Sequence, residues 1–438
     1  MNFRHWQIAV LLLLLSTYSV LFYFVFTYQY KLDFSSFYSA FQLFDTGDNP
    51  YQSLYTTYLL TIKKLSANLN PPIVLWVLTP LLRLNYDLAL IIWSGLSLLL
   101  GLIGAHFSFK LAFPADFIKK NWLSLYLIYL SLFATVMDTA IAQFGSILFF
   151  FIMTGYYCYL NNREYSAGLL WGIIIAMKFF PALLFFFVLK QGRYKVFMVM
   201  CVTLLVLCLI PWVVLGTTIY KQYFSMMTRV LWYGDSWNAS LYGFLFRLFI
   251  DVHDKTQSLI AIKTAYIFLF FSLLFWYLKK STGKSTVQNH QPFCLTLVMM
   301  LLMSPFGWLY YFPLLILPFA CLWITAIDKK TNTAQLLFMW LISLFLLNFP
   351  IDYVRTTDMP TFLGKLGFYS FYFYGLLLLA HLLTRQPILP PANDLSINKA
   401  PAYFTPSLSI IISFGLLIPI ISFVMRLFSI PGVPLLHY

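Results

Sequence analysis

The chain has 438 residues, of which 61% are hydrophobic, 20% aromatic and only 10% charged. A water-soluble domain carries about a quarter charged residues, so this composition excludes a soluble protein and indicates a polytopic membrane protein. The net charge of +14 comes without a contiguous basic patch, which argues against nucleic acid as a partner. We expect one integral-membrane domain over residues 1–438, all-α, with about 12 transmembrane helices.

The first apolar run covers residues 8–28 and follows a basic residue, Arg4. It is long enough to cross a hydrocarbon core of about 30 Å as a helix. Because the run lacks a small-residue cleavage site, we predict an uncleaved first span rather than a removed signal peptide.

Residues 29–70 form the predicted first exterior loop. After Asp33, Phe and Tyr recur at helical spacing, which predicts an amphipathic helix that lies on the bilayer surface. A second amphipathic face follows at Leu54, Tyr55, Tyr58, Leu59, Ile62 and Leu65. We therefore expect two interfacial helices, joined by a turn at residues 45–51, where Gly and Asn-Pro break the helix.

Asp33 falls at the N-terminus of the first of these helices. There the free N–H groups and the helix dipole favour an ionised carboxylate, as a base acting near neutral pH requires. Asp is also a preferred N-cap residue. From the residues alone, helix cap and catalytic base are equal alternatives for Asp33.

Broken hydrophobic segments occupy the middle of the chain. Asn70-Pro71-Pro72 opens a region that reaches about residue 106, and the pattern leaves open whether it crosses once or folds back. A return span at residues 122–137 leads to a polar break at 138–145, DTAIAQFG, before the span at 146–160.

Residues 167–189 form an apolar segment with basic residues on both flanks, so we predict two half-helices that meet at Lys178 and Pro181. A lysine inside the membrane costs about 2.5–3.5 kcal/mol on insertion scales and therefore indicates function. The alternative is a lysine whose ammonium reaches the interface from a single tilted span.

The second long exterior segment, residues 217–257, places Arg247 on an otherwise apolar interfacial helix. Residues 304–313, SPFGWLYYFP, form a helix-breaking exterior turn, whose Trp and Tyr residues also fit an ordinary interface belt. A cytoplasmic linker at residues 385–403 precedes the last span.

Charges alternate between successive connections. Lys and Arg lie in every second one, which the positive-inside rule makes cytoplasmic. The opposite, exterior connections hold Asp33, Asp45, Asp48, Asp138, Asp235, Asp251, Asp254, Asp352 and Asp358. The five cysteines lie inside apolar runs without metal-ligand spacing, so we expect neither a disulfide framework nor a metal site.

Six short motifs follow one another along the chain: D-F-x-x-[FY]-Y from Asp33 with its closing G-D-N-P-Y, N-P-P from Asn70, Q-F-G from Gln143, A-G-x-x-x-G followed by M-K-x-x-P around Lys178, N-x-S-L-x-G…R ending at Arg247, and S-P-x-x-W ending at Trp308. Each motif alone is weak. In this order they resemble glycosyltransferase family 87, the polyprenol-phosphate-mannose-dependent mannosyltransferases with the GT-C membrane fold.

The resemblance implies a reaction and its residues. A hexose, mannose in the family, would pass with inversion from a polyprenyl-phosphate sugar to a lipid or glycan acceptor, without a cofactor. Asp33 matches the catalytic base of the family's first loop, and Lys178 and Arg247 are the candidates for binding the donor phosphate. Candidates for positioning substrate are Tyr38, Asp48, Gln143, Asn238, Trp308, Tyr310 and Tyr311.

The resemblance also implies a place and partners. We expect a multi-pass protein of a bacterial inner membrane, with its site on the periplasmic side, where cell envelope glycans are built. Its partners would be membrane lipids, the lipid-linked donor and the acceptor.

One departure from the family pattern follows the S-P-x-x-W motif, where members usually carry histidine and this chain has Tyr310 and Tyr311. Tyrosine near its ordinary pKa cannot share the task of a base at neutral pH, but its hydroxyl can position a sugar or phosphate.

Two further functions fit the same features. A flippase or transporter of lipid-linked saccharides would also combine broken helices with buried charge, although we detect no internal repeat. A non-catalytic scaffold would leave Lys178 and the ordered polar breaks without an explanation.

Overall fold

The computed structural model describes residues 3–59, 62–228, 230, 232–251, 258–327, 333–354, 361–385 and 403–428. Within these ranges the backbone is helical, with three isolated β-bridges and no strand. The α-helices are, in chain order, α1 (Phe3–Thr27), α2 (Asp33–Asp45), α3 (Pro72–Leu78), α4 (Tyr86–Ala112), α5 (Ala115–Ser131), α6 (Phe133–Ala140), α7 (Gly145–Leu160), α8 (Glu164–Met177), α9 (Leu183–Lys190), α10 (Tyr194–Leu215), α11 (Thr218–Met227), α12 (Leu241–Phe249), α13 (Ile260–Lys280), α14 (Gln291–Met303), α15 (Ile316–Ile327), α16 (Thr333–Asn348), α17 (Ile351–Val354), α18 (Phe362–Leu366), α19 (Phe371–Arg385) and α20 (Phe404–Leu427).

Seven helical segments of the described ranges are long and apolar enough to cross a membrane: His5–Thr27, Tyr86–Ala112, Tyr194–Leu215, Ile260–Lys280, Leu309–Ala326, Phe362–Arg385 and Phe404–Met425. The bent pair α5 and α6 makes an eighth if its 59° bend lies within one span. Several shorter apolar helices accompany them, including α7 and α8. The all-α polytopic architecture is confirmed, whereas the figure of about twelve spans stays a prediction.

The chain divides into two compact units. The unit that contains Arg247, called the Arg247 unit, comprises Met1–Val20, Ala105–Val136 and Trp232–Tyr438. The unit that contains Asp33, called the Asp33 unit, comprises Leu21–Gly104 and Met137–Leu231.

In the Asp33 unit, α8 packs on both α7 and α10. A Cβ added at Gly168 would lie 2.6 Å from the Cβ of Val199, and one added at Gly172 would lie 2.6 Å from the Cβ of Thr203. Small residues let helix backbones approach closely, as is common between membrane helices. The A-G-x-x-x-G motif is therefore explained by the contact of α8 with α10.

The break after α8 is confirmed. This helix ends at Met177, Lys178 is extended, and a 3₁₀ turn at Phe180–Ala182 leads into α9. Proline fits a first helical turn but not a helix interior, which is why the chain breaks just before Pro181.

In the Arg247 unit, α19 packs on α14 and α16. The side chain of Asn348, at the end of α16, connects two further elements. Its Oδ1 accepts the backbone N–H of Phe133 at 2.7 Å, and its Nδ2 donates to the carbonyl of Ile411 at 3.0 Å. These buried bonds fix the start of α6 and the middle of α20 against α16.

The first exterior loop differs from its prediction in two ways. Helix α2 is present, but Phe34, Phe41 and all residues between them are buried. The first two turns of α2 are thus enclosed by protein, rather than lying with one face on the bilayer.

The prediction of a second interfacial helix is wrong, because the described residues between α2 and α3 contain no helix. Instead the backbone pairs with itself: Tyr55 and Lys64 form an antiparallel bridge, and the N–H of Leu65 donates to the carbonyl of Leu54 at 2.9 Å. Leu54 and Leu65 are buried on the inside of this turn. The apolar spacing fits a helix, but pairing of the backbone with itself buries Leu54 and Leu65 and leaves Tyr55 and Ile62 exposed.

The region left open at 71–107 contains α3, a 3₁₀ turn at Thr79–Arg83 and the long unbroken α4. Most of the predicted linker at 385–403, together with Asp254 and Asp358, lies outside the described residues.

Candidate active site

Asp33 is the first residue of α2, and Leu32 occupies the N-cap position. The backbone N–H of Asp33 donates to the carbonyl of Ile141 at 3.0 Å. Its carboxylate oxygen Oδ2 accepts a hydrogen bond from Nε2 of Gln143 at 2.7 Å. The interpretation of Asp33 as a helix cap is therefore wrong: a side chain from a distant segment holds the carboxylate.

Gln143 lies in the loop 141–144, between α6 and α7. Its side chain is buried, and its Oε1 accepts the backbone N–H of Phe144 at 2.9 Å. That contact fixes which end of the amide faces Asp33. Ala142 has a φ of 52°, a left-handed conformation that turns the chain sharply. The carbonyl of Ala142 accepts the indole N–H of Trp93 at 2.9 Å, so the loop is held on both sides.

Lys178 is half-buried at the break between α8 and α9. Its Nζ lies 5.4 Å from the centre of the Phe144 ring, a cation–π contact. That ring packs on Phe37 and Trp93, with centroids 5.3 and 4.8 Å away. Among the described residues, the ammonium has no hydrogen-bond acceptor, so its N–H donors are available to a ligand.

The electrostatics of Asp33 combine opposing effects. Burial raises the pKa of the Asp33 carboxyl above its ordinary value, whereas the hydrogen bond from Gln143 and the charge of Lys178 lower it. A carboxylate whose pKa approaches the working pH is a better base than an ordinary one. Burial therefore increases the basicity of Asp33, and the contacts with Gln143 and Lys178 favour its ionised form, which is the form that can take a proton.

Arg247, on α12, has a different environment. Its Nε donates to Oγ of Ser370 at 3.2 Å, and its terminal nitrogens donate to the carbonyls of Gly234, Asp235 and Asn238. Burial lowers its pKa to about 10, although nearby carboxylates raise it, so it stays charged at neutral pH. These partners hold residues 234–238 on α12. A role in binding donor phosphate stays a prediction.

Asn238 joins two of the motifs. Its Nδ2 donates to the carbonyls of Tyr233 at 3.0 Å and Pro305 at 2.9 Å, and its Oδ1 accepts the N–H of Ser240 at 3.1 Å. Its backbone forms an antiparallel bridge with Trp308. The side-chain amide is thus used inside the fold, and a role in positioning substrate stays a prediction.

Trp308, Tyr310 and Tyr311 are buried close to one another in the Arg247 unit. The rings of Trp308 and Tyr310 stack at 6.3 Å, and those of Tyr310 and Tyr311 meet edge to face at 4.6 Å. Their predicted contact with substrate is not tested by these distances.

Tyr38 and Asp48, the other two candidates on the first loop, have ordinary surroundings. The hydroxyl of Tyr38 donates to the carbonyl of Leu84 at 2.9 Å. Asp48 is exposed and accepts a hydrogen bond from Oγ1 of Thr46 at 2.9 Å. These contacts favour packing and turn formation, and the two assignments stay predictions.

The structure thus brings Asp33, Gln143 and Lys178 together, three candidates from distant parts of the sequence. Sequence reasoning missed Phe144, which contacts Lys178, and Trp93, which packs on Phe144. The Q-F-G motif already contained Phe144 as a signal, whereas nothing distinguished Trp93 from other aromatics in an apolar run. Among the described residues, no three His, Cys, Asp or Glu side chains lie close enough to hold a metal ion.

The family model of glycosyltransferase family 87 matches residues 68–305, more than half of the chain. Comparisons with curated proteins and with solved structures give no match. The matched range includes Gln143, Lys178 and Arg247 but begins after Asp33. The chain belongs to glycosyltransferase family 87 and is a multi-pass membrane glycosyltransferase.

Proposed function

We propose that the protein transfers mannose, or a related hexose, from a polyprenyl-phosphate sugar to a lipid or glycan acceptor, with inversion. The observation that carries the proposal is the group formed by Asp33, Gln143 and Lys178. It combines a carboxylate fixed by one amide donor with an ammonium that has no protein acceptor among the described residues. Such a pair suits a reaction that removes a proton and releases a phosphate.

In the proposed reaction, Asp33 is the general base. The acceptor hydroxyl gives its proton to the carboxylate as its oxygen attacks C1 of the sugar. The bond from C1 to the phosphate oxygen breaks on the opposite face, and its electrons leave with polyprenyl phosphate. Attack and departure on opposite faces invert the anomeric centre. Gln143 bonds Oδ2 of Asp33, which leaves Oδ1 to accept the proton.

Lys178 is proposed to bind the phosphate of the donor. A charge-assisted hydrogen bond from an ammonium to phosphate is roughly twice as strong as a neutral one. Negative charge grows on the phosphate as the bond to C1 breaks, so this contact strengthens in the transition state. Phe144 supports the ammonium without neutralising it.

Transfer from a labelled donor tests the proposal. Purified protein is incubated with polyprenyl-phosphate [³H]mannose and a lipid and glycan extract, with the glucose analogue as a parallel arm. We expect label in an acceptor and one released polyprenyl phosphate for each sugar transferred. Label that crosses a liposome membrane in the intact donor, with no polyprenyl phosphate released, would instead identify a flippase.

We further propose that the site faces the periplasm of a bacterial inner membrane, because acidic connections alternate with basic ones. Ser53 is exposed on the same loop as Asp33. A Ser53→Cys protein should react with a membrane-impermeant thiol reagent in spheroplasts, and wild type, with its five native cysteines, is the control. Labelling only after lysis would reverse this topology.

A further inference from the structure

Asp138 lies near the end of α6 and is not one of the groups that take part directly in the proposed reaction. It is 1% exposed. Its Oδ1 accepts the N–H of Gly145 at 2.8 Å, and its Oδ2 accepts the N–H and the hydroxyl of Ser146 at 2.8 and 2.6 Å. Its own carbonyl accepts the N–H of Gln143 at 3.0 Å. The side chain of Asp138 thus binds the start of α7, just after the loop 141–144, and its backbone carbonyl binds Gln143 within the loop.

This arrangement differs from an ordinary helix cap. The N-cap position of α7 belongs to Phe144, which has no side-chain acceptor, and Asp138 lies one loop earlier in the chain. Its carboxylate reaches across the loop to the N–H groups that a local cap would bind. The bonds from the N–H groups of Gly145 and Ser146 cap α7, and the bond from the N–H of Gln143 to the Asp138 carbonyl holds the loop.

The loop 141–144 contacts both Asp33, the proposed base, and Lys178, the proposed phosphate-binding residue. The carbonyl of Ile141 accepts the backbone N–H of Asp33, and the side chain of Gln143 bonds its carboxylate. The ring of Phe144 lies beneath the ammonium of Lys178. A small displacement of this loop would therefore alter the base and the phosphate-binding cation together.

We propose that Asp138 is a positioning residue, which holds the loop 141–144 so that Gln143 bonds Asp33 and Phe144 supports Lys178. The proposal rests on the proposed function, since it assigns Asp138 a role in that reaction. Asp138 itself does not contact substrate. Its effect reaches the reaction through the hydrogen bond from Gln143 to the carboxylate of Asp33.

The pH profile of transfer tests this role, because the acidic limb reports the pKa of the base. Lys178 is the charged group that faces Asp33, and Gln143 is its hydrogen-bond donor. Gln143→Leu removes a hydrogen bond that lowers the pKa of Asp33. The acidic limb of this variant's pH profile should therefore move to higher pH by about one unit. Asp138→Asn should move it by a similar amount, and the double variant should move it no further.

The direction of the shift separates positioning from a plain charge effect. If Asp138 acted on Asp33 only through its negative charge, Asp138→Asn would lower the pKa of the base and move the limb downward. If Asp138 served only to stabilise α7, the variant would lose folded protein while the limb stayed in place. Either result would overturn the proposal.

Matched variants keep the test informative if Asp138→Asn folds poorly. Ser146→Ala removes one of the three bonds and should move the limb in the same direction by less. Asn85, whose Oδ1 accepts the N–H of Leu88 at 2.9 Å, caps the start of α4 outside this loop. Asn85→Ala is the control and should leave the limb unchanged.

Hydrogen exchange separates failure of this proposal from failure of the proposed function. In resting protein, the amides of Gln143, Gly145 and Ser146 should exchange faster in Ser146→Ala and Asp138→Asn than in wild type. Unchanged exchange would overturn the role of Asp138 even if transfer is observed. Wild type that transfers no sugar from any polyprenyl-phosphate donor would overturn the proposed function, while the exchange data still test the loop.

Discussion

Lys178 and Arg247 are two cations that the sequence assigned to the same task, and the structure gives them different surroundings. Lys178 lies on the Phe144 ring without a hydrogen-bond acceptor among the described residues. Arg247 donates to three backbone carbonyls and to the hydroxyl of Ser370. The first cation has N–H donors available to an anion, and the second has most of its donors committed to the fold.

This difference shows how to interpret a buried charge. A buried donor without a partner costs free energy, so its partner is part of the fold, a water molecule or a ligand. The partners of Arg247 lie in residues 234–238 and in Ser370, which favours a structural role. Among the described residues, Lys178 contacts the Phe144 ring and interacts at longer range with the charge of Asp33, which favours a role in binding a phosphate.

The largest expected effect concerns Asp33, beside Lys178. Asp33→Asn keeps the size of the side chain and removes its basicity, so transfer should fall by about 10²–10⁴-fold, the usual contribution of a positioned base. The measurement is the initial rate of transfer by folded, purified protein. A rate near that of wild type would contradict the assignment, and Asp45 or Asp48 on the same loop would be tested next.

The second effect tests Lys178 itself. A hydrogen bond to a charged group contributes roughly 1.5–3 kcal/mol, so Lys178→Ala should lower kcat/KM for the donor by about 10–100-fold. Lys178→Arg should recover part of this loss. The control is Lys190→Ala, at the exposed end of α9. If Lys178→Ala behaves like the control, Lys178 is a lysine that only reaches the membrane interface.

The smallest effect on transfer is expected at Arg247. Arg247→Met keeps apolar bulk but removes the guanidinium donor from the carbonyls of Gly234, Asp235 and Asn238. The free energy of unfolding should fall by roughly 2–5 kcal/mol, seen as a lower melting temperature in detergent. The folded fraction should keep the KM of wild type for the donor. A large rise in that KM would indicate that Arg247 binds the donor phosphate together with Lys178.

The sequence predicted the class of protein and most of its helices. Membrane spans are determined by hydropathy summed over about 20 residues, a local property that needs no knowledge of distant contacts. Local chemistry also located the break at Lys178, because Pro181 disfavours a continuous helix. The helical spacing of Phe and Tyr after Asp33 located the start of α2.

Local pattern failed where two structures bury the same side chains. Leu54 and Leu65 have helical spacing, yet pairing of the backbone across a turn covers them equally well. Helix α2 has an apolar face, yet its neighbours in the fold enclose its other faces too. Periodicity reports which residues avoid water and not what covers them.

The role of Asp33 depended on tertiary structure. Its hydrogen-bond donor, Gln143, is 110 residues away in the sequence, and the loop that carries Gln143 is closed by Asp138. Cap and base were equal alternatives because both place a carboxylate at a helix start. Only the fold shows that Leu32 occupies the cap position and that the carboxylate faces Gln143. Composition and local pattern determine the helices of this protein, whereas the partners of its charged groups come from segments that only folding brings together.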